Sequence, residues 1–211
     1  MNEIKKVAGE KMNHLKDKIV LITGAGKGAG RALALAFAEQ GAVVALNDIS
    51  PVNVDLVVAE IIARGGQARS YVEDVAKKVG AQYLVNSVED DFGGIDILVN
   101  HAAVEPHTPL LAMDEWDWHR TLDVNLTGAF LMMQSVGRMM RGKGKGEILN
   151  IVAGSGKGVG NDAAAYLSSM AGLAALSHQA DLELSPLGIR VYAVENSTDV
   201  VKDVMLTLEA K

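Results

Sequence analysis

No cysteine occurs among the 211 residues, which excludes a disulfide scaffold and any thiolate metal site. A cysteine-free chain fits a reducing compartment, and a cytoplasmic location is the expectation. Proline is scarce, with four residues, and no Pro/Gly/Ser-rich stretch marks a linker between domains. Positive charge is in deficit: 20 Lys and Arg against 26 Asp and Glu give a net charge of −6. No global basic field would therefore gather phosphate backbones, and nucleic acid is not an expected partner. No apolar run approaches the roughly 20 residues of a membrane helix, so no membrane association is expected. The stretch from Met1 to Lys18 lacks the apolar centre of an export signal.

What is present is apolar content for a core: 49% of residues are hydrophobic, in a length that suits one domain. The reading is a single domain over 18–211, preceded by an N-terminal extension at 1–17. In that extension Ile4, Val7, Ala8, Met12 and Leu15 lie close to helical spacing, which suits a short amphipathic helix as well as a frayed start with Met12 as an alternative initiator. From Lys18 onward, β-branched runs at 19–23, 43–47, 68–72, 95–100, 148–152 and 189–194 read as strands. Segments of helical period at 28–40, 52–64, 75–92, 113–141 and 163–184 separate them. In the third of these, Val75, Val79, Val88 and Phe92 mark an apolar stripe. Apolar strands alternating with helices predict an α/β fold with a doubly wound parallel sheet of six or seven strands, helices covering both faces. The last residues place Val200, Val201, Val204, Met205 and Leu208 on one helical face.

The first strand runs into Gly24-Ala25-Gly26-Lys27-Gly28-Ala29-Gly30 and then into an Ala/Leu-rich helix. Strand, glycine turn and helix in that order suit a dinucleotide. The helix start offers unpaired N–H groups, and glycines let a pyrophosphate reach the backbone. Asp48, about 20 residues past the turn, sits where a carboxylate accepts from a ribose 2′-hydroxyl. An acid there favours NAD(H) over NADP(H), with Lys27 and Arg31 near enough in sequence to soften the preference.

Two other patterns carry less. Gly137 to Lys143 matches a phosphate-binding G-x-x-x-x-G-K, but Gly144 replaces the required hydroxyl residue and the stretch ends a helix, so it reads as a basic loop. His101, Glu105 and His107 share a loop without regular ligand spacing, and no metal site is expected.

With these residues in hand, the chain resembles the short-chain dehydrogenase/reductase family, a Rossmann-fold family, from about Leu15 to Val194. Thr23, Gly24, Gly28 and Gly30 are similar to its T-G-x-x-x-G-x-G turn, and Asp74-Val75 to its adenine-contacting Asp. Asn100-His101-Ala102-Ala103 resembles N-N-A-G, with His and Ala as departures. Trp116-Asp117 and Asp123-Val124-Asn125-Leu126-Thr127-Gly128 resemble its fourth helix, whose Asn serves a proton relay. Tyr166 falls at the catalytic Tyr, and Gly188-Ile189-Arg190-Val191 precedes the sixth strand as in the family. The resemblance implies cofactor contacts from Thr23, Gly24, Gly26, Lys27, Gly28, Ala29, Asp48, Asp74, Val75, Asn100 and Ala102, and catalysis from Tyr166 and Asn125.

The same register marks what is missing. The family's Lys, four residues after the Tyr, is Met170, and its Ser is Ala153. Asn196-Ser197 replaces a Pro-Gly pair, and the family's last strand and substrate lid have no counterpart, which reads as a shortened C-terminus. An ammonium beside the Tyr lowers its pKa from about 10 toward working pH, and the Ser donates to the substrate oxygen, as an oxyanion donor does; each loss costs rate. Ser155 and Lys157, in the loop after the fifth strand, are candidate substitutes. The implied function is an NAD(H)-binding protein of oxidoreductase lineage, catalytically impaired and a subunit of a homo-oligomer or of a hetero-oligomer with a related chain. Ala163 to Leu184, apolar nearly all round, would be the contact. The alternative is an active NAD-dependent oxidoreductase, with an atypical site, for a small ketone or secondary alcohol.

Overall fold

The computed structural model describes residues 14–154 and 160–210. The alternation is realised as β1 (Ile19–Thr23), α1 (Gly28–Glu39), β2 (Val43–Asp48), α2 (Pro51–Ala63), β3 (Gln67–Val72), α3 (Lys78–Phe92) and β4 (Ile97–Asn100) in the first half. The second half runs α4 (Glu115–Leu122), α5 (Ala129–Lys143), β5 (Gly146–Ala153), α6 (Ala164–Leu184), β6 (Ile189–Asn196) and α7 (Val200–Glu209). The strands form one six-stranded sheet in the order β3-β2-β1-β4-β5-β6, every pairing parallel. The order reverses between β1 and β4, and a crevice opens at such a switch point beyond the carboxyl ends of the strands. Of the two strand counts left open by the sequence, six is the one observed among the described residues.

Consecutive positions Val20, Leu21 and Ile22 are all sealed from solvent, so β1 is covered on both faces. One core layer joins α3, α5 and α6 through Leu84, Met132, Met140 and Leu173, and the other joins α1, α2 and α7 through Phe37, Ile61 and Leu208. Leu15 already belongs to the second layer. The other four residues of the expected N-terminal helix lie outside the described residues.

Local chemistry sets the helix ends. Ser50 caps α2 by accepting from Asn53 N, with Pro51 at the first helical position, and Asp114 caps α4 by accepting from Asp117 N at 2.7 Å. The third helix starts later than its period suggests. Asp74 accepts from Ala76 N through its side chain (3.0 Å) and from Lys77 N through its carbonyl (3.1 Å), which spends 74–77 on a turn. Val75 is buried ahead of the helix, and Val79 is 78% exposed; the inward face is Ala81, Leu84, Val85 and Val88. The expected helix over 113–141 is α4 and α5 joined by a π-helical turn, Asp123–Gly128.

Asn196-Ser197 leads into α7. Ser197 Oγ bonds Asp203, and Asp199 caps the helix by accepting from Lys202 N at 3.2 Å. α7 packs on β6 and α1, bringing Val200, Val204, Met205 and Leu208 into the layer that holds Leu149, Ile151 and Val194. Leu208 is fully buried. Leu208→Ala is therefore expected to cost about 2–5 kcal/mol, read as a lowered urea midpoint at unchanged slope.

Candidate functional site: the crevice at the switch point

β1 delivers the chain into the glycine turn at the centre of the crevice. Gly24 has φ +66°, and a Cβ there would stand 2.7 Å from Ala102 Cα; one on Gly30 would stand 2.2 Å from Gly24 O. Neither position tolerates a side chain, so the turn stays tight and its backbone open to a ligand. α1 starts without a side-chain cap, leaving first-turn N–H groups unspent. Asp48 braces the turn from the end of β2: Oδ2 accepts from Gly26 N and Oδ1 from Ser50 N, both at 2.9 Å.

These residues border a cleft of about 390 Å³, to which Gly24, Lys27, Asp48, Asp74, Val75 and Ala102 all contribute. Gly26, Gly28 and Ala29 shape the turn without lining that space. Thr23 and Asn100 sit deeper: Thr23 Oγ1 accepts from His101 N and Ala102 N, both at 3.1 Å. Asn100 Nδ2 donates to Asn150 Oδ1 (2.8 Å), and Asn150 Nδ2 donates to Ser177 Oγ (2.8 Å). Asn100 Oδ1 is buried without a partner, beside a void of about 10 Å³ that Met170 and Asn125 also line. Arg31 turns away from the cleft to pair with Glu60 at 2.5 Å. The cradle that side chains would fill, the uncapped helix start and the carboxylate at the ribose end fit a nicotinamide dinucleotide.

Sequence reasoning did not single out Ser50, Asn53, Glu73 and Arg120, which also line the cleft. The signal for the first two was an N-capping Ser-Pro pair directly after Asp48, which brings the start of α2 to the cleft.

The other half of the site is built on α6. Tyr166 and Met170, one turn apart, are both buried in the same layer, and half-buried Ala153 ends β5. Burial pushes the Tyr166 hydroxyl above its ordinary value, and the negative charge of Glu105 pushes it further the same way. That is the opposite of what a neighbouring ammonium would do, so Tyr166 is a neutral hydrogen-bond donor at working pH. Asn125, in the π turn, is fully engaged. Its Oδ1 accepts from Val104 N (2.8 Å), and its Nδ2 donates to Val104 O (2.9 Å) and Ser169 Oγ (3.0 Å). Ser169 Oγ in turn donates to Tyr166 O at 2.7 Å. The side chain of Asn125 thus fastens the loop after β4 to α6. The candidate substitutes Ser155 and Lys157 lie outside the described residues.

His101 turns its ring to Gly24 O, while Glu105 faces His107 at 3.8 Å, and no three His, Asp or Glu side chains gather as metal ligands among the described residues. The stretch 137–143, read from the sequence as a basic loop, is instead the helical end of α5, which stops at Gly144 in the left-handed region; Arg141 and Lys143 sit in its last turn, where cations oppose the helix dipole. No described helix is long and apolar enough to cross a membrane.

A doubly wound parallel sheet with a glycine turn after its first strand and an acid at the end of its second is the arrangement of the dinucleotide-binding oxidoreductase folds. The short chain dehydrogenase family model matches residues 18–203, and the chain belongs to that family. It is 39% identical over 181 residues to a (2S)-[(R)-hydroxy(phenyl)methyl]succinyl-CoA dehydrogenase subunit of Thauera aromatica, covering 85% of this chain and 72% of that protein. A 3-oxoacyl-[acyl-carrier-protein] reductase of Synechocystis sp. is 38% identical, with 87% and 74% covered. Among solved structures, NAD+-bound xylitol dehydrogenase superposes with a TM-score of 0.82 at 36% identity, over 86% of this chain and 70% of that one. A metagenomic short-chain oxidoreductase in complex with NADP gives 0.87 at 29% identity, over 93% and 92%.

Proposed function

We propose that this chain binds NAD(H) in the crevice but is impaired in carbonyl chemistry of its own, acting as one subunit of an oligomer. The observation that carries the reading is the surroundings of Tyr166. By the family resemblance Met170 and Ala153 stand at the Lys and Ser positions, and the Tyr166 hydroxyl is shifted away from phenolate by burial and by Glu105. When bound, the dinucleotide supplies or accepts hydride. The protein's own part is then to orient it, through the glycine turn and Asp48, and to offer one neutral hydroxyl to a substrate oxygen.

Preference for NAD(H) over NADP(H) is supported by Asp48 and Glu73 at the cleft and by the pairing of Arg31 with Glu60, which draws the Arg31 guanidinium away from the cleft. Solved relatives hold either cofactor, so the test is a parallel fluorescence titration with NADH and NADPH. NADH is expected to bind about tenfold tighter, a difference of about 1.4 kcal/mol, and Asp48→Ala is expected to erase most of it. Equal affinities would overturn the preference.

The oligomeric reading is supported by the Thauera aromatica relative being named as a subunit, and by exposed Phe130 and Leu167 on α5 and α6. Light scattering on the purified chain is expected to give a mass above that of one chain, alone or once a related subunit is supplied; a monomer under both conditions would refute it.

A second reading, an active oxidoreductase for a small ketone or alcohol, is favoured by the presence of Tyr166 and by relatives named for such activity, D-threitol dehydrogenase and galactitol 2-dehydrogenase. Rapid turnover by the unmodified chain would decide for it.

A further inference from the structure

His101 follows Asn100 at the end of β4 and is fixed on two sides. Its backbone N–H donates to Thr23 Oγ1, and its ring Nδ1 lies 3.1 Å from Gly24 O. A carbonyl oxygen only accepts, so Nδ1 carries the hydrogen. Nε2 has no hydrogen bond to any described residue, and His101 lines the cleft. The ring is wedged under the glycine turn: Nδ1 would lie 3.2 Å from a Cβ on Gly24 and 2.7 Å from one on Gly30. It therefore borders the first turn of α1, where a dinucleotide's pyrophosphate would rest.

The charged groups around it are mixed. Asp48 after β2, Glu73 and Asp74 after β3, Lys27 at the start of α1 and Arg120 on α4 share the cleft with His101. Arg31 is held by Glu60, and Glu105 faces His107. Burial keeps the ring below the ordinary histidine value, against the opposing pull of the hydrogen bonds to Gly24 and Thr23 and of Asp48, so without ligand it is neutral near pH 7.

We propose that His101 is a proton-linked part of the dinucleotide site, taking up a proton at Nε2 when a pyrophosphate settles on the glycine turn. The inference rests on reading the cleft as the cofactor site. The proton comes from solvent and adds to the Nε2 lone pair, while Nδ1–H stays on Gly24 O. A dianionic group beside the ring favours the imidazolium, and by reciprocity the protonated protein holds that group more tightly.

The test is calorimetric titration with NAD+ between about pH 8 and about pH 5.5, each pH in two buffers of different ionisation heat. Proton uptake on binding is expected, with affinity rising about three- to tenfold toward the acid end. Adenosine, which lacks phosphates, is expected to bind without uptake, a comparison that needs no variant. His101→Asn is expected to flatten the NAD+ profile, and His107→Asn to leave it intact. A profile unchanged by His101→Asn, or uptake equal for adenosine and NAD+, would overturn the proposal. Absence of NAD+ binding at every pH would instead overturn the cofactor reading, and this inference with it.

Discussion

Ketone reduction by the Ala153→Ser/Met170→Lys double variant is expected to exceed that of the unmodified chain by about 10³-fold or more. An oxyanion-type donor contributes roughly 10²–10³, and an acid of suitable pKa roughly 10²–10⁴, although the two act as a unit and do not simply multiply. Position 170 faces the same layer as Tyr166, one helical turn away, so an ammonium there acts on the hydroxyl that Glu105 and burial now push upward. A buried ammonium is costly without a partner. Asn100 Oδ1, unpaired beside the small void that Met170 lines, is an acceptor in waiting. In the alcohol-oxidising direction, which needs the phenolate, the rate of the Ala153→Ser single variant should still be climbing with pH at the alkaline end. Adding Met170→Lys should move that rise to lower pH. A pH–rate series on both variants with a panel of secondary alcohols and ketones checks the prediction, and equal rates for the double variant and the unmodified chain would refute it.

Gly30→Ala is expected to weaken NAD+ binding by more than about tenfold and to lower stability by about 1–3 kcal/mol. The added methyl would stand 2.2 Å from Gly24 O and 2.7 Å from His101 Nδ1. A backbone carbonyl cannot yield as a flexible side chain would, so the turn itself must move and the cradle distort. In a chain of this length each kcal/mol lowers Tm by about 2–4 °C, which a thermal melt resolves. Gly28→Ala provides a contrast, since nothing stands within 4 Å of its Cβ position and its cost comes from φ +54° alone. An unchanged NAD+ affinity in Gly30→Ala would show that the turn does not carry the ligand.

The strands were legible because inner parallel strands are continuous apolar runs, as at Val20-Leu21-Ile22. The glycine turn was legible because its backbone demands small residues at fixed positions. The start of α3 was not, since Val75 and Val79 fit a helical period while the carboxylate and carbonyl of Asp74 divert the backbone into a turn. The π turn was hidden for a related reason: one extra residue per turn leaves no mark in an apolar pattern read at 3.6. In the site, Asp48 was found but its work as a brace was not, because spacing carries no information on which N–H groups a carboxylate meets. Asn125 was read as a relay residue from family resemblance; that its side chain ties Val104 to Ser169 was not legible, because spacing does not show which groups an amide meets.

Those commitments join the two halves of the crevice. Thr23 holds the backbone of His101 and Ala102; two residues on, Val104 is gripped at both its N–H and its carbonyl by Asn125, which reaches Ser169 and through it the carbonyl of Tyr166. A strut of hydrogen bonds thus runs from the glycine turn to the helix that bears the phenol, with little slack along it. Occupancy at one end should be felt along the strut as slower amide exchange at Val104, even in a chain that performs no chemistry.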